Sequence, residues 1–270
     1  MPNHVTNRIE FSGKQENINK IFELIDGEDV FDFDKIIPMP ETLNLVSGGD
    51  DNASIQYAIS KMDEMEALRT QAALMLKPVS YYKSYYNKVF GMRRFTEDEL
   101  TKRAKEFETK LKTTTKFDGV NYGALGIKSF EDLGKMYIYN ITNYGHDSWY
   151  DWRCENWGTK WGAYDVSSNG NEITFDTAWS CPLPILNELA KICIAHNVTF
   201  EGKWADEDSG YNVGVFGIDE DGFYYQRATD KSNEAYEIYI ELKGESDCIG
   251  KDENGNWIHY DCDDCPNKCY

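Results

Sequence analysis

Four of the seven tryptophans lie within thirteen residues, at Trp149, Trp152, Trp157 and Trp161, in DSWYDWRCENWGTKWGAYDV at 147–166. Asp151, Arg153, Lys160 and Asp165 are interleaved with them. Indole is large and mostly apolar, so such a block is either a seam of the core or a recognition surface. Two readings stand open. In one, Trp157 and Trp161 flank a strand and pack under the helix that follows. In the other, Asn156, Lys160, Asp165 and an exposed Trp149 or Trp152 form a polar-rimmed binding face. Trp and Arg dominate interface hot spots, and Arg153 between two indoles is placed for a cation–π contact.

The tail HYDCDDCPNKCY offers a second chemistry. His259, Cys262, Cys265 and Cys269, with Cys248 upstream, bring imidazole and thiolate together, the donors that suit Zn²⁺. Only one C-x2-C pair is present, so a zinc knuckle, a reduced tail without metal and a disulfide all remain open. Zinc is the one cofactor the sequence suggests.

No catalytic residue is assigned. The chain has no phosphate-binding Gly-x-x-x-x-Gly-Lys-Ser/Thr, and DEDSGYN at 206–212 lacks the ligand order of a calcium loop. Cys181 and Cys193 read as structural, and Cys154 has no histidine near it in sequence. His4, His146 and His196 each lack a motif. Carboxylates are too abundant for one pair to stand out as general acid and base.

Asp and Glu outnumber Lys and Arg 47 to 28, a net charge of −19. That surface repels phosphate, which argues against direct nucleic-acid binding and favours a basic protein partner. A hydrophobic content of 41 % with 14 % aromatics is that of a folded chain. No apolar run is long enough to span a bilayer, and MPNHVTNRIEF has no apolar signal core. No membrane association is expected, and a cytoplasmic location is. Seven cysteines, an odd number in a long chain, argue against a disulfide scaffold.

These residues must be held by elements the pattern predicts. Residues 5–11 alternate as a half-buried strand, with Val5, Ile9 and Phe11 on one face. Ile18, Ile21, Phe22 and Ile25 have helical spacing, with Gly27 placed as a stop. Pro38 and Pro40 set an extended segment. Residues 53–76 read as one long helix with Ile55, Ile59, Met62, Met65 and Leu68 on a stripe, followed by Tyr81, Tyr82, Tyr85 and Tyr86. Thr96 and Glu99 form a capping box before a helix carrying Leu100, Ala104, Phe107 and Leu111. TTTKFDGVNYGALG reads as a loop. Residues 172–179 alternate with Ile173, Phe175, Thr177 and Trp179 on one face, and Pro182 opens a helix. VTFEGKWA, YNVGVFGI and GFYYQRA read as antiparallel strands, and 235–242 alternates again. The order predicts an α+β sandwich, an antiparallel sheet with helices on one face. It comprises residues 1–244 with a mainly helical insertion at about 50–145, and an acidic Cys-bearing tail at 245–270.

Several blocks, in order, carry a resemblance: MPNHVTNRIEFSG at the start, FDFDKIIPMPETL at 31–43, WYDWRCENWGTKWGAYDV at 149–166, ITFDTAWSCPLPILNELAK at 173–191 and WADEDSGYNVGVF at 204–216. Over roughly residues 1–225 the chain resembles the YubB-like, ferredoxin-like proteins of phages, prophages and conjugative plasmids. It departs from them at Gly162, at His4 and Val5, and in the Cys-bearing tail. The resemblance implies a ferredoxin-like sandwich without an iron–sulfur cluster, and no established activity.

Three functions follow as expectations. The first is a phage- or mobile-element-type accessory protein, more a binder than an enzyme. It would inhibit a basic host nuclease or CRISPR-type complex in the host cytoplasm. The second is a nucleotide-handling or small-molecule-binding enzyme with a cleft beside the helical insertion. The third is a zinc-tailed interaction module.

Overall fold

Alternation in HVTNRIEFSG builds β1 (His4–Gly13), in which Val5, Asn7, Ile9 and Phe11 are buried on one face. Ile18, Ile21 and Ile25 fall on the inner face of α1 (Gln15–Ile25). This helix ends at Asp26, which is extended, so Gly27 is not a left-handed stop. A β-carbon at Gly27 would lie 2.0 Å from the Asp32 carboxylate, which caps α2 (Phe33–Ile36) by accepting from the Asp34 amide. Glycine is needed there for room, not for its backbone freedom. Pro38 and Pro40 then hold an irregular stretch ahead of a 3-10 turn at Glu41–Leu43.

The computed structural model describes residues 3–27, 30–75, 94–246 and 248–260. The chain divides into two compact units, Met1–Pro38 with Asn156–Tyr270, and Met39–Glu155.

The Met39–Glu155 unit is mainly helical. The single helix expected over 53–76 is two: α3 (Asp51–Lys61) and α4 (Glu64–Met75). Met62 turns extended between them, and Asp63 restarts the helix by accepting from the Glu66 amide at 2.9 Å. That aspartate is a cap the apolar stripe conceals, and Met65 and Leu68 end more than half exposed at 58 % and 55 %. Residue 76 and the four tyrosines at 81–86 lie outside the described residues.

Next comes α5 (Glu97–Thr113), opened by the expected capping box. The Thr96 hydroxyl accepts from the Glu99 amide, and the Glu99 carboxylate accepts from the Thr96 amide. Thr96→Ala is expected to cost about 1 kcal/mol, and Thr96→Ser close to nothing. Thermal denaturation of the two variants side by side checks this. The expected loop holds a small hairpin, β2 (Lys116–Phe117) and β3 (Val120–Asn121), turned by Asp118 and Gly119 at positive φ. Two more helices follow, α6 (Phe130–Tyr144) and α7 (Trp149–Asn156). Leu45, Ile55, Phe107, Phe130, Leu133 and Tyr137 form the centre of the core of this unit.

The chain then completes the sheet of the first unit. The elements are β4 (Tyr164–Asn169), β5 (Glu172–Ala178), α8 (Leu183–Ala195), β6 (Val198–Ala205), β7 (Val213–Asp219), β8 (Gly222–Arg227) and α9 (Asn233–Lys243). A two-stranded ribbon, β9 (Ile249–Lys251) with β10 (Trp257–His259), comes last. The strand order is β4-β5-β1-β6-β7-β8, antiparallel throughout. Taken as strands one to four of a β-α-β-β-α-β unit, β1, β4, β5 and β6 stand in the order second, third, first, fourth. This is the ferredoxin-like arrangement, lengthened at one edge by β7 and β8. The Met39–Glu155 unit interrupts it between the first and second strands.

Phe22 of α1 meets Phe11, and Phe33 of α2 meets Phe175, which places these helices on one face of the sheet. α8 packs beside α2 and over β6. The alternation expected to make a strand at 235–242 belongs instead to α9. Ser232 caps it through the Ala235 amide, and Gly244 ends it at φ 86°. Ala235, Ile238, Tyr239 and Leu242 share a helical face and pack on Ala205, Val213 and Val215. α9 therefore lies on the sheet face opposite α1. Arg8 and Lys203 on that face both bind the Glu241 carboxylate, and these cations, Lys203 first, hold it below the usual carboxylate range.

Candidate functional site

The Trp block is divided between the units. Trp149, Trp152 and Arg153 belong to the helical unit, and Asn156, Trp157, Lys160, Trp161 and Asp165 to the sheet unit. No strand runs through the block before Tyr164. Trp149, Trp152 and Arg153 are instead spaced i, i+3, i+4 along α7, so they share a side of it. Trp152 is buried, and the Arg153 guanidinium lies 5.3 Å from the centre of the Trp149 ring. The stacking partner foreseen for Arg153 is thus Trp149.

In the sheet unit, Trp157 is core. It is 2 % exposed, meets Phe33 edge-on and donates its N–H to the Ile37 carbonyl at 2.9 Å. Asn156 is half-buried, and Asp165 is exposed at φ 50°. Between Tyr164 and Ser167 the register of β4 against β5 slips by one residue, a bulge that re-aims Tyr164 at the edge of the sheet.

What the fold brings together is the end of the sheet where β1 begins and β5 and β6 finish. β5 stops at Ala178, so Trp179 leaves the alternating row and turns outward, 39 % exposed. Its φ is 73°, a conformation that costs a bulky side chain about 1–2 kcal/mol. Surrounding bonds impose it. The Trp179 amide donates to the Asn3 carbonyl at 2.9 Å, and its carbonyl accepts from Asn212 Nδ2 at 3.3 Å. Both asparagines are held by Asp206. This carboxylate is 5 % exposed and accepts from Asn3 Nδ2 at 3.1 Å, from Asn212 Nδ2 at 2.7 Å and from the Glu207 amide at 2.7 Å.

Lys160 completes the arrangement. Its ammonium stands 4.8 Å from the Trp161 ring and 5.2 Å from the Trp179 ring, bridging two indoles by cation–π contacts. Trp161 meets Tyr164 edge-on. The Tyr164 hydroxyl lies 2.7 Å from His4 Nδ1, and His4 Nε2 lies 3.7 Å from Glu207. Burial, then the carboxylates of Asp176, Asp165 and Glu207, raise the Tyr164 phenol to about 12. It therefore stays protonated at physiological pH. Asp165, Glu207 and Asp208 stand exposed. The result is a continuous face with aromatic centre and acidic rim, on which one lysine is already engaged.

Of the expected surface, Lys160, Trp161 and Asp165 lie on this face, and Trp157 does not. Trp179, Tyr164, His4 and Glu207 are additions. Trp179 was hidden by the alternation of β5, which extends one residue beyond the strand. His4 stands at a departure from the resembled family.

Cys181 and Cys193 are buried in apolar surroundings, which pushes the Cys193 thiol up to about 12 and Cys181 well above its ordinary value. Neither is poised as a thiolate nucleophile. His259 lies on β10 and, with Asp208, Tyr211 and Lys231, lines a cavity of about 470 Å³. Cys262, Cys265 and Cys269 lie outside the described residues. Among the described residues, no three His, Cys, Asp or Glu side chains are grouped to hold a metal ion, and no helix is long and apolar enough to cross a membrane.

No curated protein matches the chain in sequence. Among solved structures, a crystal structure of a protein api92 from Yersinia pseudotuberculosis is similar at a TM-score of 0.36 and 10 % identity, over 85 % of this chain and 99 % of that one. Residues 156–239, which include Lys160, Trp161, Trp179 and Asp206, match the family model described as the ferredoxin-like domain in Api92-like protein.

Proposed function

We propose that the ferredoxin-like unit is a protein-binding module, and that the sheet end bearing Trp161 and Trp179 engages a basic partner. The observation that carries this reading is Trp179, a half-exposed indole held at positive φ by a buried carboxylate. Strain of that kind persists where the surrounding bonds impose it, and it gathers at functional surfaces. An exposed Trp beside a second Trp supplies the rigid apolar anchor typical of hot spots. Asp165, Glu207 and Asp208 supply the rim for arginine and lysine, and the net charge of −19 steers such a partner in. A nuclease groove lined with Arg and Lys has this complementary chemistry. An anti-defence inhibitor from a phage or plasmid, the setting implied by resemblance to YubB-like proteins, is the specific form of this reading.

Trp179→Asn tests it, because asparagine tolerates positive φ where most residues do not. The variant is expected to keep its stability within about 1 kcal/mol and to lose about 30-fold in partner affinity, roughly the value of one hot-spot residue. The measurement is affinity capture by the tagged chain from bacterial lysate at low and moderate salt, followed by titration of the captured protein. A basic protein held by the wild type and released by Trp179→Asn supports the reading. Equal capture by the two chains overturns it.

A further inference from the structure

The helical unit carries a cleft that the protein-binding face does not use. Its volume is about 350 Å³, at the small end of the range for ligand sites. Arg103, Phe107 and Lys110 stand at i, i+4 and i+7 on α5 and form one wall. Phe117 of the hairpin and Tyr122 just beyond it close the other side. The three rings cluster, with Phe107 and Tyr122 centred 5.2 Å apart and Phe117 and Tyr122 4.5 Å apart. Phe107 meets Tyr122 edge to face while Phe117 and Tyr122 are inclined by 39°, so the cluster offers an aromatic ligand an apolar corner of ring edges and faces.

Polar groups fix the rest. Tyr122 is 3 % exposed, yet its hydroxyl has no hydrogen-bond partner among the described residues and is not sealed from the cleft. Burial and then Asp118 and Asp50 raise this phenol to about 12, so it stays protonated and offers a donor. At the rim, Arg103 Nη1 binds Asp50 at 2.5 Å, and Lys110 lies 3.8 Å from Asp118. The Arg103 ion pair leaves further N–H donors beside a carboxylate acceptor. With Glu106, three carboxylates face two cations across this rim. A phosphate or other anion is therefore disfavoured, and a neutral ligand with adjacent donors and acceptors is matched.

We propose that this cleft binds a free nucleobase or nucleoside, packed against the Phe107, Phe117 and Tyr122 cluster, accepting a hydrogen bond from Tyr122 and pairing its polar edge with Arg103 and Asp50. The proposal is independent of the protein-binding face, and nothing in it requires chemistry on the ligand.

Calorimetric titration of the full chain tests it. The four common nucleosides and their free bases are the probes, beside the matching 5′-monophosphates and free tryptophan as a zwitterionic aromatic. Saturable binding of a nucleoside or base is expected, with its monophosphate weaker. Tyr122→Phe removes only the unpaired hydroxyl and is expected to weaken binding about fivefold to tenfold, the worth of one hydrogen bond, without lowering the melting temperature. Arg103→Gln, on a part-exposed side chain, is expected to weaken it similarly. The proposal fails if no nucleoside or base binds. It fails equally if monophosphates or tryptophan bind more tightly, or if both variants bind as the wild type does.

Discussion

Gly134→Ala is expected to destabilise the Met39–Glu155 unit by about 3 kcal/mol or more, the upper range for overpacking. Gly134 sits on α6 where that helix crosses α3. A β-carbon there would lie 2.0 Å from the Ser54 carbonyl oxygen, 2.5 Å from its carbon and 2.8 Å from the Ala58 methyl. The first two obstacles are backbone, so no rotamer change relieves them and the helices must separate. Separation opens the core that Leu133 and Tyr137 close from the same helix, which carries the Tyr137 hydroxyl bond to the Val46 carbonyl at 2.9 Å. Ala58→Gly removes only the third obstacle and is expected to rescue little. Hydrogen exchange read segment by segment is the measurement. Amides of α3 and α6 are expected to lose protection, while β1, β5 and β6 keep theirs. Wild-type protection in α3 would show that the helices are not in the close contact described.

How the sequence conveys this architecture depends on whether an element is set locally or by its neighbours. β1 and β5 were legible because one face is buried and the other is not, so alternation survives, and the strands from 198 to 227 because apolar and aromatic runs are cut by glycine and acidic turns. The capping box at Thr96 was legible because both its partners lie within four residues. α9 was misread because Tyr236, Ile238, Ile240 and Leu242 alternate as in a strand, although Ser232 and Gly244 bracket them as a helix. Here the cap outweighed the alternation, since the burial at Ala235, Ile238 and Leu242 follows a helical period.

The candidate face was only partly legible for a related reason. The density of tryptophan at 149–161 was visible, but the block spans a helix, a turn and parts of two compact units. Trp161 finds its companion eighteen residues away at Trp179, through Lys160. Only the register of β5 against β1, with Ala178 opposite His4, decides that Trp179 falls just past the end of the strand.

Asp206→Ala is expected to cost about 2–3 kcal/mol and to disable the proposed binding face as well. Among 47 acidic residues nothing in sequence singles out this one, yet its carboxylate receives donors from Asn3, from Asn212 and from the amide that follows it. Alanine leaves the two amide groups of Asn3 and Asn212 and the Glu207 N–H without this acceptor. Asn3 is exposed and keeps Asp208 as a second acceptor at 3.4 Å, so the loss falls mainly on the Asn212 amide and the Glu207 N–H, about 1–3 kcal/mol each where they stay dry. Asp206→Asn is the sharper variant. It preserves shape and one acceptor oxygen but points an NH₂ at a donor, so a smaller loss, about 1–2 kcal/mol, is expected. The functional consequence runs through Trp179, whose amide and carbonyl are bound by the same two asparagines. Once they are released, its positive φ is no longer imposed, and the indole can leave Lys160 for an ordinary backbone conformation. Denaturant melts rank the stabilities, and partner affinity is measured for Asp206→Asn under conditions where it is fully folded. Folded Asp206→Asn that binds as tightly as wild type would separate the carboxylate from the face. A loss approaching that of Trp179→Asn would mean that the buried charge sets the aim of the exposed indole.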